Sequence, residues 1–284
     1  MAREAGLSAP PLVLPGVSVG FGRRAWSGLT LAIISGVGAV SFLYPLFLAG
    51  APTAGMANPH TDDAPLIFGL VVALALVLFA LEISSEGINA KTASALATLI
   101  MLAAVLRIPT LPAGANAFFF AVILGGYVFG PRFGFLLGSG AFFVSTFALG
   151  GFGPWLPFQL FAAGWVGMTA GWLGLLRKPL QRFRLVEIAT LAAFSFLWGF
   201  LFGAVMNLWF WPFMASGESV SWQPGLGLGE LLKHYWSFYL LTSAGWDAWR
   251  AIANVILILF LGRPVLDVFL RFRSRFQIDF GART

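Results

Sequence analysis

The chain has no cysteine and only two histidines in 284 residues. The first absence excludes disulfides, thiolate metal sites and cysteine nucleophiles. The histidines, His60 and His234, both fall in connections, so no helix carries the paired imidazoles that an intramembrane zinc protease needs. No Gly-x-x-x-x-Gly-Lys-Ser/Thr loop occurs, which excludes ATP binding by that route. Charge is scarce as well: Asp, Glu, Lys and Arg make up 10% of the chain, against about 25% in soluble domains. No series of carboxylates crosses the apolar segments and no inverted repeat is evident, which argues against a self-driven secondary transporter. The residues call for no cofactor and no metal.

What is there in quantity is apolar. Hydrophobic residues make up 59% of the chain, and the mean hydropathy is +0.87. A bilayer-spanning helix needs about 20 predominantly apolar residues. Eight such runs are legible: Trp26 to Leu48, Pro65 to Ile83, Ala90 to Ile108, Asn116 to Phe129, Phe133 to Leu149, Trp155 to Leu176, Val186 to Trp211, and Tyr235 to Leu261. Only Gly130, Pro131 and Arg132 separate the fourth and fifth, so a tight turn makes them a re-entering hairpin. The first run follows Arg23 and Arg24 as a signal peptide would. Its apolar length exceeds the usual core of 7–15 residues, so it reads as a retained anchor.

The positive charges are one-sided. Of the 17 Lys and Arg, all but Arg107, Lys233 and Arg250 fall at the chain ends or in alternate connections. Positive charge is retained on the cytoplasmic side, so this pattern predicts a multi-pass membrane protein with both termini inside. The net charge of +6 and the pI near 10.3 then report topology and contact with anionic membrane lipid, not nucleic-acid binding.

The expected fold class is an all-α polytopic membrane protein. Residues 1–24 read as a disordered cytoplasmic tail, 25–84 as two extra transmembrane helices, 85–262 as a six-helix unit, and 263–284 as a basic cytoplasmic tail. The connection Gly50 to Ala64 carries acids and no base, and belongs outside. The long connection Pro212 to His234, rich in Gly, Ser and Trp, is either a lid over an outward opening or a plain surface loop. Small residues recur at four-residue spacing: Ala93 and Ala97; Gly134 and Gly138; Ala163, Gly167 and Gly171; Gly199 and Gly203. Such stripes let helix backbones approach closely, for internal packing or for docking of another membrane protein.

Ionisable and amide groups inside a span are costly and therefore functional candidates. Asp247, Arg250 and Asn254 share one helical face by their spacing. They form either a self-neutralising pair or the polar wall of a substrate cavity. Gln159, Asn207 and Asn116 each lie near the outer end of a helix. Polar groups from four helices thus converge on the outer half, and the inner half offers almost none. Trp155, Trp209, Trp211 and Trp246 lie at the same level, as an interfacial belt or as walls for a flat ligand. Glu82 and Glu86, spaced i, i+4, read as a solvated helix end.

From about Ala90 to the C-terminus the chain resembles the substrate-binding S component of energy-coupling factor (ECF) vitamin transporters. The resemblance is carried by LPAGAN, ILGGYVFGPRFGFLLG, FALGGFGPWLPFQLFAAGWVGMTAGWLG and WDAWRAIANVILILFLGRPVLDVFLRFRSRF, most specifically by Gly153 to Gln159. It implies a six-helix vitamin-binding unit with cytoplasmic termini. Energy would come from a transmembrane T component and two ATP-binding subunits. It also implies that Ala93 and Ala97 match the Ala-x-x-x-Ala face that docks on the T component, and that the unit topples in the membrane to deliver its vitamin. The two leading helices depart from the family's usual six.

The expectation is a non-enzymatic receptor subunit with Asn116, Trp155, Gln159, Asn207, Trp246, Asp247, Arg250 and Asn254 around its ligand. The Trp-rich outer half favours a cobalamin-type or flat aromatic vitamin. An intramembrane enzyme acting on a lipid-linked substrate through Asp247, Arg250, Glu82 and Glu86 is the main alternative, with a scaffold subunit that binds nothing as a third.

Overall fold

Backbone in lipid has no water to bond to, so a long apolar run closes its N–H···O=C bonds within itself as a helix. The structure, a computed structural model, describes residues 19–48, 63–84, 90–110, 114–214 and 219–276, and all regular structure among them is helical. The elements are α1 (Val19–Leu43), α2 (Pro45–Leu48), α3 (Ala64–Ser84), α4 (Ala90–Arg107), α5 (Phe118–Phe129), α6 (Pro131–Leu149), α7 (Leu156–Leu173), α8 (Arg177–Gln181), α9 (Arg184–Phe210), α10 (Leu228–Thr242) and α11 (Ala244–Phe276). The tail before residue 19, His60, Asp62, Glu86, and the side chains of Arg23, Arg24 and Glu82 lie outside the described residues, as does the chain after residue 276.

Six helices among the described residues are long and apolar enough to cross a bilayer: Trp26–Phe47, Ala64–Leu81, Pro131–Leu149, Leu156–Gln181, Arg184–Phe213 and Ala244–Ser274. The sequence reading counted eight. The structure supports six by these measures, with α4 and α5 as two further helices of the same bundle. The expected run Tyr235 to Leu261 is not one helix. It breaks at Ser243 into α10 and α11, and α11 continues past Leu261 to Phe276 through Pro264. Part of the expected lid segment is likewise ordered, as a 3-10 turn at Trp211–Phe213 and the first turns of α10.

The centre of the bundle is α5, a helix of 12 residues all of which are buried. It turns into α6 through a single residue, Gly130, whose φ of 102° is closed to most L side chains. Pro131 then supplies the preset φ of a first helical turn. The tight hairpin expected at Gly130 to Arg132 is therefore present. Around α5 the small-residue stripes are internal. A Cβ on Gly134 or Gly126 would overlap the Gly167 carbonyl, and one on Gly138 would overlap that of Ala163. Backbones of α5, α6 and α7 therefore touch directly, the mode of association available where lipid gives no hydrophobic drive between helices. On the other side of α5, Gly199 meets Ala251 and Gly203 meets Asp247, seating α9 on α11. Helices α1 and α3 pair with each other and lean on α7 through Gly38, whose face holds Phe161 and Trp165.

Candidate ligand site at one end of the bundle

The two ends of α5 define two ends of the protein. Its N-terminal end gathers the last turn of α4, the C-terminal turns of α6 and α9, the start of α7, and the start of α11. Asp247 opens α11, 1% exposed, and Arg250 Nη1 donates to its Oδ1 at 2.6 Å. Tyr239 of α10 donates to the other oxygen at 3.0 Å. Burial, and then the nearby Asp247 carboxylate, pushes the Tyr239 hydroxyl up, so it stays a donor. Arg250 Nη1 also donates to the Gly199 carbonyl at 3.2 Å. Its guanidinium lies 5.2 Å from the Phe202 ring and 5.8 Å from that of Phe119.

Asn254, one turn further, is 1% exposed. Its Nδ2 donates to the Arg250 carbonyl at 2.8 Å, and its side-chain oxygen is buried without a partner. Asn207 is buried on α9 and braces the α10–α11 break: its Oδ1 accepts from Ser243 at 2.9 Å and its Nδ2 donates to Thr242 at 3.4 Å. Asn116 works locally, its Oδ1 accepting the Phe118 N–H at 3.1 Å to start α5. Gln159 is half-buried in the first turn of α7, and its amide makes no hydrogen bond among the described residues. Trp155 stacks edge-on against Trp209 at 6.2 Å and donates to Gly151.

The structure thus brings Asp247, Arg250 and Asn254 together, and Trp155 to Trp209 just beyond Asn207. Trp246 stands apart, 59% exposed. On the expected docking face, Ala97 is exposed and Ala93 half-buried.

One cation at this end was not among the sequence candidates. Arg107, the last residue of α4, donates from Nη1 to Ser145 at 2.8 Å, and its guanidinium stacks 3.6 Å above the Phe142 ring. It ends an apolar run, where the rule that singles out Asp247 applies equally.

The opposite end corrects the expectation that the inner half is nearly free of polar groups. Glu187 in the first turn of α9 is 0% exposed. It accepts from Tyr127 at 2.9 Å and from Arg263 at 2.8 Å, and Arg263 also pairs with Asp267 at 2.9 Å. Arg177 and Arg273 both donate to the Val128 carbonyl, at 2.9 and 2.7 Å, where α5 runs out of internal partners. Glu187 lies inside the apolar run Val186 to Trp211, which is the signal that could have found it.

This architecture is that of an all-α multi-pass membrane protein whose amides, Trp rings and an Asp–Arg pair gather at one end, opposite a basic end. The family model of the ECF transporter substrate-specific component matches residues 66–262, and the chain belongs to that family. The match opens inside α3, ahead of the Ala90 start of the sequence resemblance, and stops before the last basic stretch. No curated protein and no solved structure matches the chain. The chain is therefore a transporter subunit and not an enzyme, which sets aside the lipid-linked-substrate alternative. Substrate-specific components work with a T component and ATPases.

Proposed function

We propose that the chain binds a vitamin or cofactor precursor at the α5 N-terminal end and hands it inward with a T component and two ATP-binding subunits. Two features at this end support the reading: the Asp247–Arg250 pair with Asn254 one turn on, and Trp155 and Gln159 at the start of α7, with Trp155 against Trp209. Two of these polar groups, the Gln159 amide and the Asn254 oxygen, are without hydrogen-bond partners among the described residues. A buried acceptor without a donor is costly in a finished fold and useful in a site that a ligand completes. The crowd of arginines at the other end supports assigning that end to the cytoplasm, in a bacterial-type membrane with both termini inside. The ligand end then faces out. In this reading α1 and α3 are a spanning pair added to a six-helix unit of α4, α5, α6, α7, α9 and α11. The face of α4 around Ala97, with Met101 and Val105 also exposed, receives the T component.

Native mass spectrometry of the detergent-purified protein tests the reading. A vitamin-sized adduct is expected, lost in Gln159→Ala without a change in thermal stability. No adduct, even after incubation with a vitamin panel, overturns it in favour of a scaffold subunit.

A further inference from the structure

We infer that the ligand is an anion, and that Arg107 holds its carboxylate or phosphate group; this rests on the receptor reading above. The two arginines at the ligand end have different circumstances. Arg250 is neutralised by Asp247 at 2.6 Å. Arg107 has no carboxylate within ion-pair distance among the described residues, and its hydrogen bond goes to the neutral Ser145 hydroxyl. Ser145 in turn is spent on the Phe142 carbonyl at 2.7 Å. Of the five N–H donors of a guanidinium, one is engaged.

A cation left uncompensated in apolar surroundings needs a reason, because its hydration has been partly removed. Here the surroundings are rings. Phe142, under Arg107, stacks on Phe202 at 6.4 Å and 29°, and Phe202 lies under Arg250. Phe118 meets Phe142 edge-on at 5.5 Å, and Phe119 meets Phe202 at 4.8 Å. The result is a four-ring platform flanked by two guanidiniums, with one unit of positive charge in excess. Topology does not ask for that charge: Arg132, Arg177, Arg263 and Arg273 sit at the other end, where the retention rule wants them. Stacking on Phe142 also fixes the plane of the guanidinium, which preorganises its fork for the paired oxygens of a carboxylate or phosphate.

The test uses purified full-length protein and matched probes that differ in charge: nicotinate with nicotinamide, biotin with biotinamide, and pyridoxal 5′-phosphate with pyridoxal. Binding is titrated calorimetrically, and any co-purifying molecule is identified by mass. The expected result is that the anionic member of a pair binds at least about tenfold more tightly. Arg107→Gln, which can still bond Ser145, removes that preference at unchanged thermal stability, and Arg107→Lys keeps part of it. Equal binding of a neutral partner overturns the inference, as does an anion preference that survives in Arg107→Gln. So does a co-purified ligand that is neutral or cationic. Those three results leave the receptor reading standing. Failure of every probe, with nothing co-purifying, removes the receptor reading and this inference together.

Discussion

The carboxylate of Asp247 rests directly on Gly203, at a point where a Cβ on α9 would overlap it. The Asp–Arg pair therefore depends on a missing side chain one helix away.

Gly203→Ala is expected to push Asp247 off α9 and disturb its bonds to Arg250 and Tyr239. Overpacking of this kind costs about 1–3 kcal/mol. Intrinsic fluorescence of the 11 tryptophans gives the melting temperature in detergent. Gly69→Ala, inside α3 where an added Cβ meets nothing within 4 Å, is the control and should melt no lower than the wild type. Equal melting of both variants would show that α9 and α11 are not seated as described.

Removing Glu187 should be among the more damaging single changes at the basic end. Glu187→Ala leaves the Tyr127 hydroxyl without its acceptor and strips Arg263 of its buried partner. The loss is expected at about 3 kcal/mol, toward the low end for a broken buried pair because Arg263 keeps Asp267. Tyr127→Phe loses one hydrogen bond and should cost about 1 kcal/mol. Denaturant unfolding in micelles checks the order of the two.

Asn207 ties α9 to the break between α10 and α11. Asn207→Ala should free that joint, so hydrogen exchange of the Thr242–Asp247 amides rises while α5 and α6 stay protected. Unchanged exchange there would mean that Asn207 does not brace the break.

The exposed small residue on α4 gives a test of docking apart from binding. Ala97→Leu adds bulk to an exposed surface, so ligand binding and melting should be unchanged. Co-purification with the T component and ATPases should fall by about tenfold or more if this face receives them. Normal assembly in Ala97→Leu would move the docking face elsewhere.

Much of the fold was legible because hydropathy is a one-dimensional signal. The runs behind α1, α3, α6, α7 and α9 can be read off the chain, and the Gly130–Pro131 hairpin announces itself by residue type. The break at Ser243 could not be read that way. Tyr235 to Leu261 is apolar enough overall to read as one span, and its break is braced by the Asn207 amide of another helix, 36 residues away. Glu187 carries a signal in its place inside an apolar run, but its burial was not legible. Its sequence neighbours are Arg182 and Arg184, so it looks like one more charge at a solvated helix end. Its burial depends on Tyr127, 60 residues earlier, and Arg263, 76 residues later. Asp247 and Arg250 stood out because both partners lie on one helix. Arg107 did not, because the ring beneath it belongs to α6.

The shortness of α5 changes the distance a solute has to travel. Twelve residues rise about 18 Å, against about 30 Å for the hydrocarbon core of a bilayer. The arginines on Val128 sit at one end of this short helix, and Arg107, through Phe142 and Phe118, at the other. In the receptor reading, a molecule held beside Arg107 would start from within the span of the surrounding longer helices, so that less of the crossing would be left for the energised step.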